Sequence, residues 1–131
     1  MGPSYGKDFN EPAPRRILVV EDEIFIAMEL ESVLTEAGFG VIGPVPTVAS
    51  ALALLGSQRP DAAVLDVNLR GERVTSVAET LTAMGVPFIL ASAYGGADVA
   101  SDAVLAGARN LGKPTQPATL LAALTDLLDR R

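Results

Sequence analysis

From Arg15 onward, short apolar runs alternate with longer amphipathic stretches, and this alternation constrains the fold more than any other feature of the chain. The runs "RILVV" (16–20), "GVIGPV" (40–45), "AAVLD" (62–66), "VPFILAS" (86–92) and "RNLG" (109–112) are too short for helices, and most are rich in Val and Ile, so they read as strands. Between the first two, Ile26, Leu30, Val33 and Ala37 share one face of a 3.6-residue period over 23–37, and Gly38 stops that helix. Thr47 is placed to cap a second helix from Val48 to Gly56, and Val74 to Met84 reads as a third. The stretch 95–108 offers only Val99, Ala103 and Ala106 as a weak helical stripe between glycines. By contrast, 117–129 carries Leu120, Leu121, Leu124, Leu127 and Leu128 along one helix face. Pro44 has no N–H to donate, so 40–45 should be an edge strand or should end there. Strict strand–helix alternation predicts a doubly wound, five-stranded parallel sheet with helices on both faces, joined by right-handed crossovers. The opening "MGPSYGKDFNEPAP" follows neither period, so residues 1–14 are expected to form a disordered tail ahead of one domain over 15–131.

Composition narrows the chemistry. Hydrophobic residues make up 49% of the 131 positions and aromatics only 5%, so the core of one domain must be aliphatic. A net charge of −6 argues against binding a phosphate backbone, which needs a basic face, and so against nucleic acid as a direct partner. Neither a membrane-length apolar run nor a secretory leader is legible, and a cytoplasmic location is expected. With no Cys and no His, thiolate and imidazole chemistry is closed, leaving carboxylates, hydroxyls, Lys or a hard metal.

In a doubly wound sheet, ligands bind outside the carboxyl ends of the strands. Glu21 and Asp22 follow the first strand, Asp66 ends the third, Ser92 ends the fourth and Lys113 follows the fifth. Clustered carboxylates repel one another and call for a hard cation such as Mg²⁺ with oxygen ligands. A phosphoryl group suits this set: Lys113 and Mg²⁺ neutralise its oxygens, the Ser92 hydroxyl donates to one, and Asp66 attacks phosphorus in line. Taken singly, each residue has a plainer explanation: first-turn acids at a helix N-terminus, a turn-capping Asp, a solvated Ser, a surface Lys. Only their joint placement on one rim favours chemistry.

At these positions the chain resembles the receiver domain of two-component response regulators, a flavodoxin-like (βα)5 fold. "ILVVEDE", "VLDVNLRGE", "ASAYG" and "LGKP" are similar, in order, to the family's acidic pair, phosphorylated Asp with its loop, hydroxyl-bearing strand end and Lys-Pro. The resemblance spans about residues 15 to 130. It implies that Asp66 is the phosphoacceptor, that Asp22 binds Mg²⁺ directly, and that Glu21 binds it through water. It also implies that the main-chain carbonyl of Asn68 is a ligand, that Ser92 and Lys113 contact the phosphoryl oxygens, and that Lys113-Pro114 is cis. Two departures stand out. Receivers commonly place Tyr or Phe three residues before the Lys, and here Asn110 occupies that position. Instead, Leu90, Ala91, Ser92, Ala93 and Tyr94 resemble the Phe-Ala-Thr-Gly-Tyr signature of the atypical FAT GUY receivers, which implies a short or mobile fourth helix and makes Tyr94 the switch candidate.

The resulting expectation is a receiver that takes a phosphoryl group from a sensor histidine kinase or histidine phosphotransfer protein and switches its binding to a downstream protein, catalysing only its own Mg²⁺-dependent phosphorylation and dephosphorylation. It is expected to be a stand-alone regulator or a piece of a longer protein. A receiver-fold interaction module without phosphoryl turnover is the main alternative. A haloacid-dehalogenase-type phosphatase would want a second Asp where Asn68 stands, and neither a P-loop nor a dinucleotide fingerprint follows any strand.

Overall fold

The computed structural model describes residues 13–93 and 102–129. Strands β1 (Arg16–Val20), β2 (Gly40–Val45) and β3 (Ala62–Leu65) are followed by a small antiparallel hairpin of β4 (Asn68–Leu69) and β5 (Glu72–Arg73), and then by β6 (Phe88–Leu90). The helices are α1 (Ile24–Glu36), α2 (Val48–Leu55), α3 (Thr75–Ala83) and α4 (Pro117–Asp129). The main sheet is parallel, in the order β2-β1-β3-β6.

Alternation of side chains along each strand splits the core into two layers. Ile17 and Val19 of β1 pack with Ala62, Val64 and Ile89 against Leu30 and Leu34 of α1 and Leu120, Leu124 and Leu128 of α4. Leu18 and Val20 pack with Ala63, Leu65 and Leu90 against Ala51 and Leu55 of α2 and Val77 and Leu81 of α3. Each fully buried Leu or Ile contributes about 1.5–3 kcal/mol relative to an exposed one, so two such layers hold the sheet from both sides. This is the doubly wound arrangement.

Local signals act where the sequence places them. Thr47 Oγ1 accepts from the Ser50 amide at 3.0 Å and the Ser50 hydroxyl accepts from Thr47 N, which closes a capping box on α2. Gly38 ends α1 at φ +94. β2 is an edge strand, as Pro44 requires, and its pairing with β1 shifts register between Leu18 and Val20. Gly43 lies at that irregularity with φ +91, and a Cβ there would stand 2.8 Å from Val45 N.

Three expectations need correction. "RNLG" is not a full fifth strand: among the described residues it contributes one parallel bridge, Leu90 with Asn110. Leu90 N donates to Arg109 O and Leu111 N to Leu90 O, both at 2.8 Å, and the ladder stops there. The face of α1 is turned from the expected one: Ala27, Leu30 and Leu34 are buried, Ile26 and Val33 flank them, and Ala37 is exposed beyond the helix end. Of the proposed fourth helix, 95–101 lies outside the described residues and 102–108 forms turns, in which Leu105 is fully buried while Ala103 and Ala106 are exposed. A short turn can sink one side chain, and burying Leu removes more apolar area from water than burying Ala. Asp102 ties this turn to the head of α3 by accepting from the Thr75 hydroxyl, and to β5 by pairing with Arg73 Nε at 3.8 Å.

Candidate functional site

Parallel pairing places the carboxyl ends of β1, β3 and β6 side by side: Val20 is in register with Leu65, and Leu65 with Leu90. The residues just beyond these ends share one rim. Glu21 N donates to Val45 O at 3.0 Å and Asp66 N to Val20 O at 2.9 Å, so both acids leave the sheet from backbone that is still hydrogen-bonded. Glu21 is 3% exposed and Asp66 5% exposed, which is unusual for carboxylates and demands partners.

Lys113 is the main partner. Its Nζ lies 3.0 Å from Asp66 Oδ2 and 3.0 Å from Glu21 Oε1, with the exposed Glu23 carboxylate further off at 3.9 Å. Glu21 Oε2 also accepts from the Glu23 amide at 3.0 Å. Glu21 Oε1, though close to the ammonium, makes no hydrogen bond. Burial pushes the Glu21 carboxyl up to about 7, and the Asp66 charge adds to the rise, while the Glu23 amide and the Lys113 hydrogen bond oppose it. For Lys113 burial disfavours the charged form, but the hydrogen bonds and charges of Glu21 and Asp66 outweigh it and hold the ammonium above its ordinary value.

Asp22 completes the acidic set. One carboxylate oxygen each from Glu21, Asp22 and Asp66 lies within 4.8 Å of the others. The hairpin holds Asp22: at the turn between β4 and β5, Arg70 has φ 54 and Gly71 φ 86, and Arg70 N donates to Asp22 Oδ2 at 3.0 Å. Gly71 N donates to Asn68 Oδ1 at 3.0 Å, which fixes the side chain of the residue two places after Asp66. This hairpin escaped the sequence reading, because two-residue strands carry no periodicity; "RG" was its one signal.

Asp22, Asp66, Asn68, Lys113, Arg70 and Ala93 are among the residues lining an open cleft of about 610 Å³. Glu21 and Ser92 are buried and are not among its lining residues. Ser92 stands two residues beyond the end of β6, next to the cleft-lining Ala93, and its amide donates to the side chain of Asn110 at 3.2 Å. Tyr94 lies outside the described residues. Lys113-Pro114 is cis, as the resemblance implies, and so is Gly43-Pro44. The structure thus brings together Glu21, Asp22, Asp66, Asn68 and Lys113. An all-oxygen donor set, a raised buried carboxylate and a Glu21 oxygen without a hydrogen bond fit a hard divalent cation.

Residues 17–125 match the response regulator receiver domain model. The chain belongs to this family. Among its relatives, the transcriptional regulatory protein PdtaR of Mycobacterium tuberculosis is 29% identical over 119 residues, covering 89% of this chain and 58% of PdtaR. The phyllosphere-induced regulator PhyR of Methylorubrum extorquens is 30% identical, over 94% of this chain and 47% of PhyR. The receiver therefore spans about half the length of these curated relatives. The solution structure of SdrG from Sphingomonas melonis Fr1 is 44% identical, covers 90% of this chain and 99% of SdrG, and superposes with a TM-score of 0.75. The receiver fold and a part in phosphorelay signalling follow from this membership.

Proposed function

We propose that Asp66 is the phosphoacceptor of this receiver and that the donor is the phosphohistidine of a sensor histidine kinase or a histidine phosphotransfer protein. An Asp66 carboxylate oxygen attacks phosphorus, the P–N bond breaks, and its electron pair leaves on the imidazole nitrogen. The observation that carries this reading is a carboxylate 5% exposed at a strand tip, with its Oδ2 3.0 Å from the Lys113 ammonium, on an open cleft.

Glu21 through water, and Asp22, Asp66 and the main-chain carbonyl of Asn68 directly, would hold Mg²⁺, which when bound supplies positive charge for the phosphoryl oxygens. Lys113 neutralises further charge on them, and the Ser92 hydroxyl donates to one. Ile24, Phe25 and Met28 remain exposed on α1, directly after Glu21–Glu23. A donor protein that reaches Asp66 must cover this end of the domain, so we assign that apolar rim to it.

The finer assignment is to the FAT GUY type, on Leu90 to Tyr94 and on Asn110 in place of the aromatic ring. Phosphorylation draws Ser92 toward the phosphoryl group and repositions Tyr94, the switch residue, and the output is altered binding of a downstream protein in the cytoplasm. Another SdrG structure, 43% identical, is described as its BeF3-activated conformation, which supports a response to an acyl-phosphate mimic.

Incubation with acetyl phosphate and Mg²⁺, followed by Phos-tag electrophoresis, tests the reading. A retarded band that disappears with EDTA is expected. An unshifted wild-type protein would instead favour the interaction module without phosphoryl turnover.

A further inference from the structure

Receivers commonly carry an aromatic ring at the position of Asn110, and here the amide does something a ring cannot. The Asn110 side-chain oxygen accepts from Ser92 N at 3.2 Å and from Gly112 N at 3.0 Å. Both partners are N–H donors, so the oxygen and not the amide nitrogen must face them.

The position of this acceptor matters. The backbone ladder between β6 and the 109–112 segment ends after Leu111 N donates to Leu90 O, two residues short of Ser92. Ser92 is 1% exposed, so its amide needs a protein acceptor at the point where the sheet stops supplying carbonyls. Asn110 Oδ1 takes the place of the missing rung. Its second partner, Gly112, sits at φ +79 in the turn that leads directly into Lys113, and Thr115 Oγ1 donates to Gly112 O at 2.7 Å. One oxygen atom therefore joins the residue carrying the site hydroxyl to the turn carrying the site ammonium.

We infer that Asn110 is a positioning residue that sets Ser92 and Lys113 at a fixed separation through its side-chain oxygen, making the two arms of the phosphoryl pocket move as one. This rests on the proposed roles of Ser92 and Lys113 as phosphoryl contacts. Leu at this position has nearly the same shape and no acceptor; Asp keeps the acceptor in the same place.

The test compares wild type, Asn110→Leu, Asn110→Asp and the milder Asn110→Ser. It measures labelling rates with acetyl phosphate at saturating Mg²⁺, Mg²⁺ affinity, and amide exchange at Ser92 and Gly112 by NMR. Asn110→Leu should lose protection at both amides and label about tenfold more slowly, with Mg²⁺ affinity within about twofold of wild type, since two hydrogen bonds are lost and no metal ligand is touched. Asn110→Asp should keep both amides protected and label within about threefold of wild type. If Asn110→Leu does not fold, Asn110→Ser, too short to reach both amides, should show the same slowing. Wild-type labelling rates in the folded variant that lacks the bridging acceptor, or loss of protection in Asn110→Asp, would overturn the inference. If wild type itself is not labelled, the phosphoacceptor reading fails, and the amide exchange of the Leu and Asp variants still decides whether this oxygen joins the two arms.

Discussion

Lys113 Nζ stands 3.0 Å from Asp66 Oδ2, although 47 residues separate them along the chain. The same ammonium meets Glu21, so one cation offsets two buried carboxylates. Removing it should leave both charges without their principal partner. Lys113→Ala is expected to lower stability by about 3 kcal/mol in EDTA, and by clearly less in Mg²⁺, which can take over part of the neutralisation. Urea unfolding with and without Mg²⁺ measures this, and equal losses in both conditions would contradict it.

Glu21 titrates at about 7 when folded, against 4.5 for an ordinary Glu, because it is buried. A raised folded value means that the native state binds the proton more tightly than the unfolded chain. The contribution of Glu21 to stability is therefore fully present below about 4.5 and is lost as pH rises through about 7. A divalent ion competes for the ionised form, so Mg²⁺ affinity should rise by up to about tenfold per pH unit toward 7 and level off above it, with proton release on binding. Glu21→Gln should flatten both profiles; calorimetry in buffers of different ionisation heat reads the released proton.

Asp22 has two duties that one substitution separates. Its Oδ2 accepts from Arg70 N at 3.0 Å, an interaction that an amide oxygen can also make. Asp22→Asn should leave the hairpin in place, with the Arg70 amide still protected, and weaken Mg²⁺ binding by about tenfold or more through the lost ligand charge. Unchanged Mg²⁺ affinity in a titration would remove Asp22 from the metal site.

Two glycines at positive φ should respond differently to Ala. At Gly43 a Cβ would stand 2.8 Å from Val45 N and 3.0 Å from Val19 O, whereas at Gly71 nothing lies within 4 Å. Gly71→Ala should cost about 1 kcal/mol of backbone strain, and Gly43→Ala about 2–3 kcal/mol because main chain must also move. Thermal unfolding of the two variants decides the order.

The features legible in the sequence are those that repetition makes visible. Continuous aliphatic runs mark β1, β3 and β6, and since parallel strands end together, reading their last residues also locates Glu21, Asp22, Asp66 and Ser92. What escapes depends on single contacts. The hairpin 68–73 is too short to show a period, yet it supplies the Arg70 amide to Asp22. The 109–112 segment looks like a strand, but a side chain replaces its second rung. In 102–108 the alanines suggest a helical stripe, whereas the turn buries Leu105 instead. No period distinguishes these outcomes, because tertiary contacts decide them.

If Asp66 carries the phosphoryl group, intact-mass spectrometry after exposure to acetyl phosphate and Mg²⁺ should separate wild type from Asp66→Asn. Wild type should gain the mass of one phosphoryl group, and lose that gain when EDTA precedes the donor. Asp66→Asn should gain none while unfolding with wild-type cooperativity, since Asn keeps the shape and lacks the nucleophile. Equal labelling of a folded Asp66→Asn protein would place the phosphoryl group on another residue.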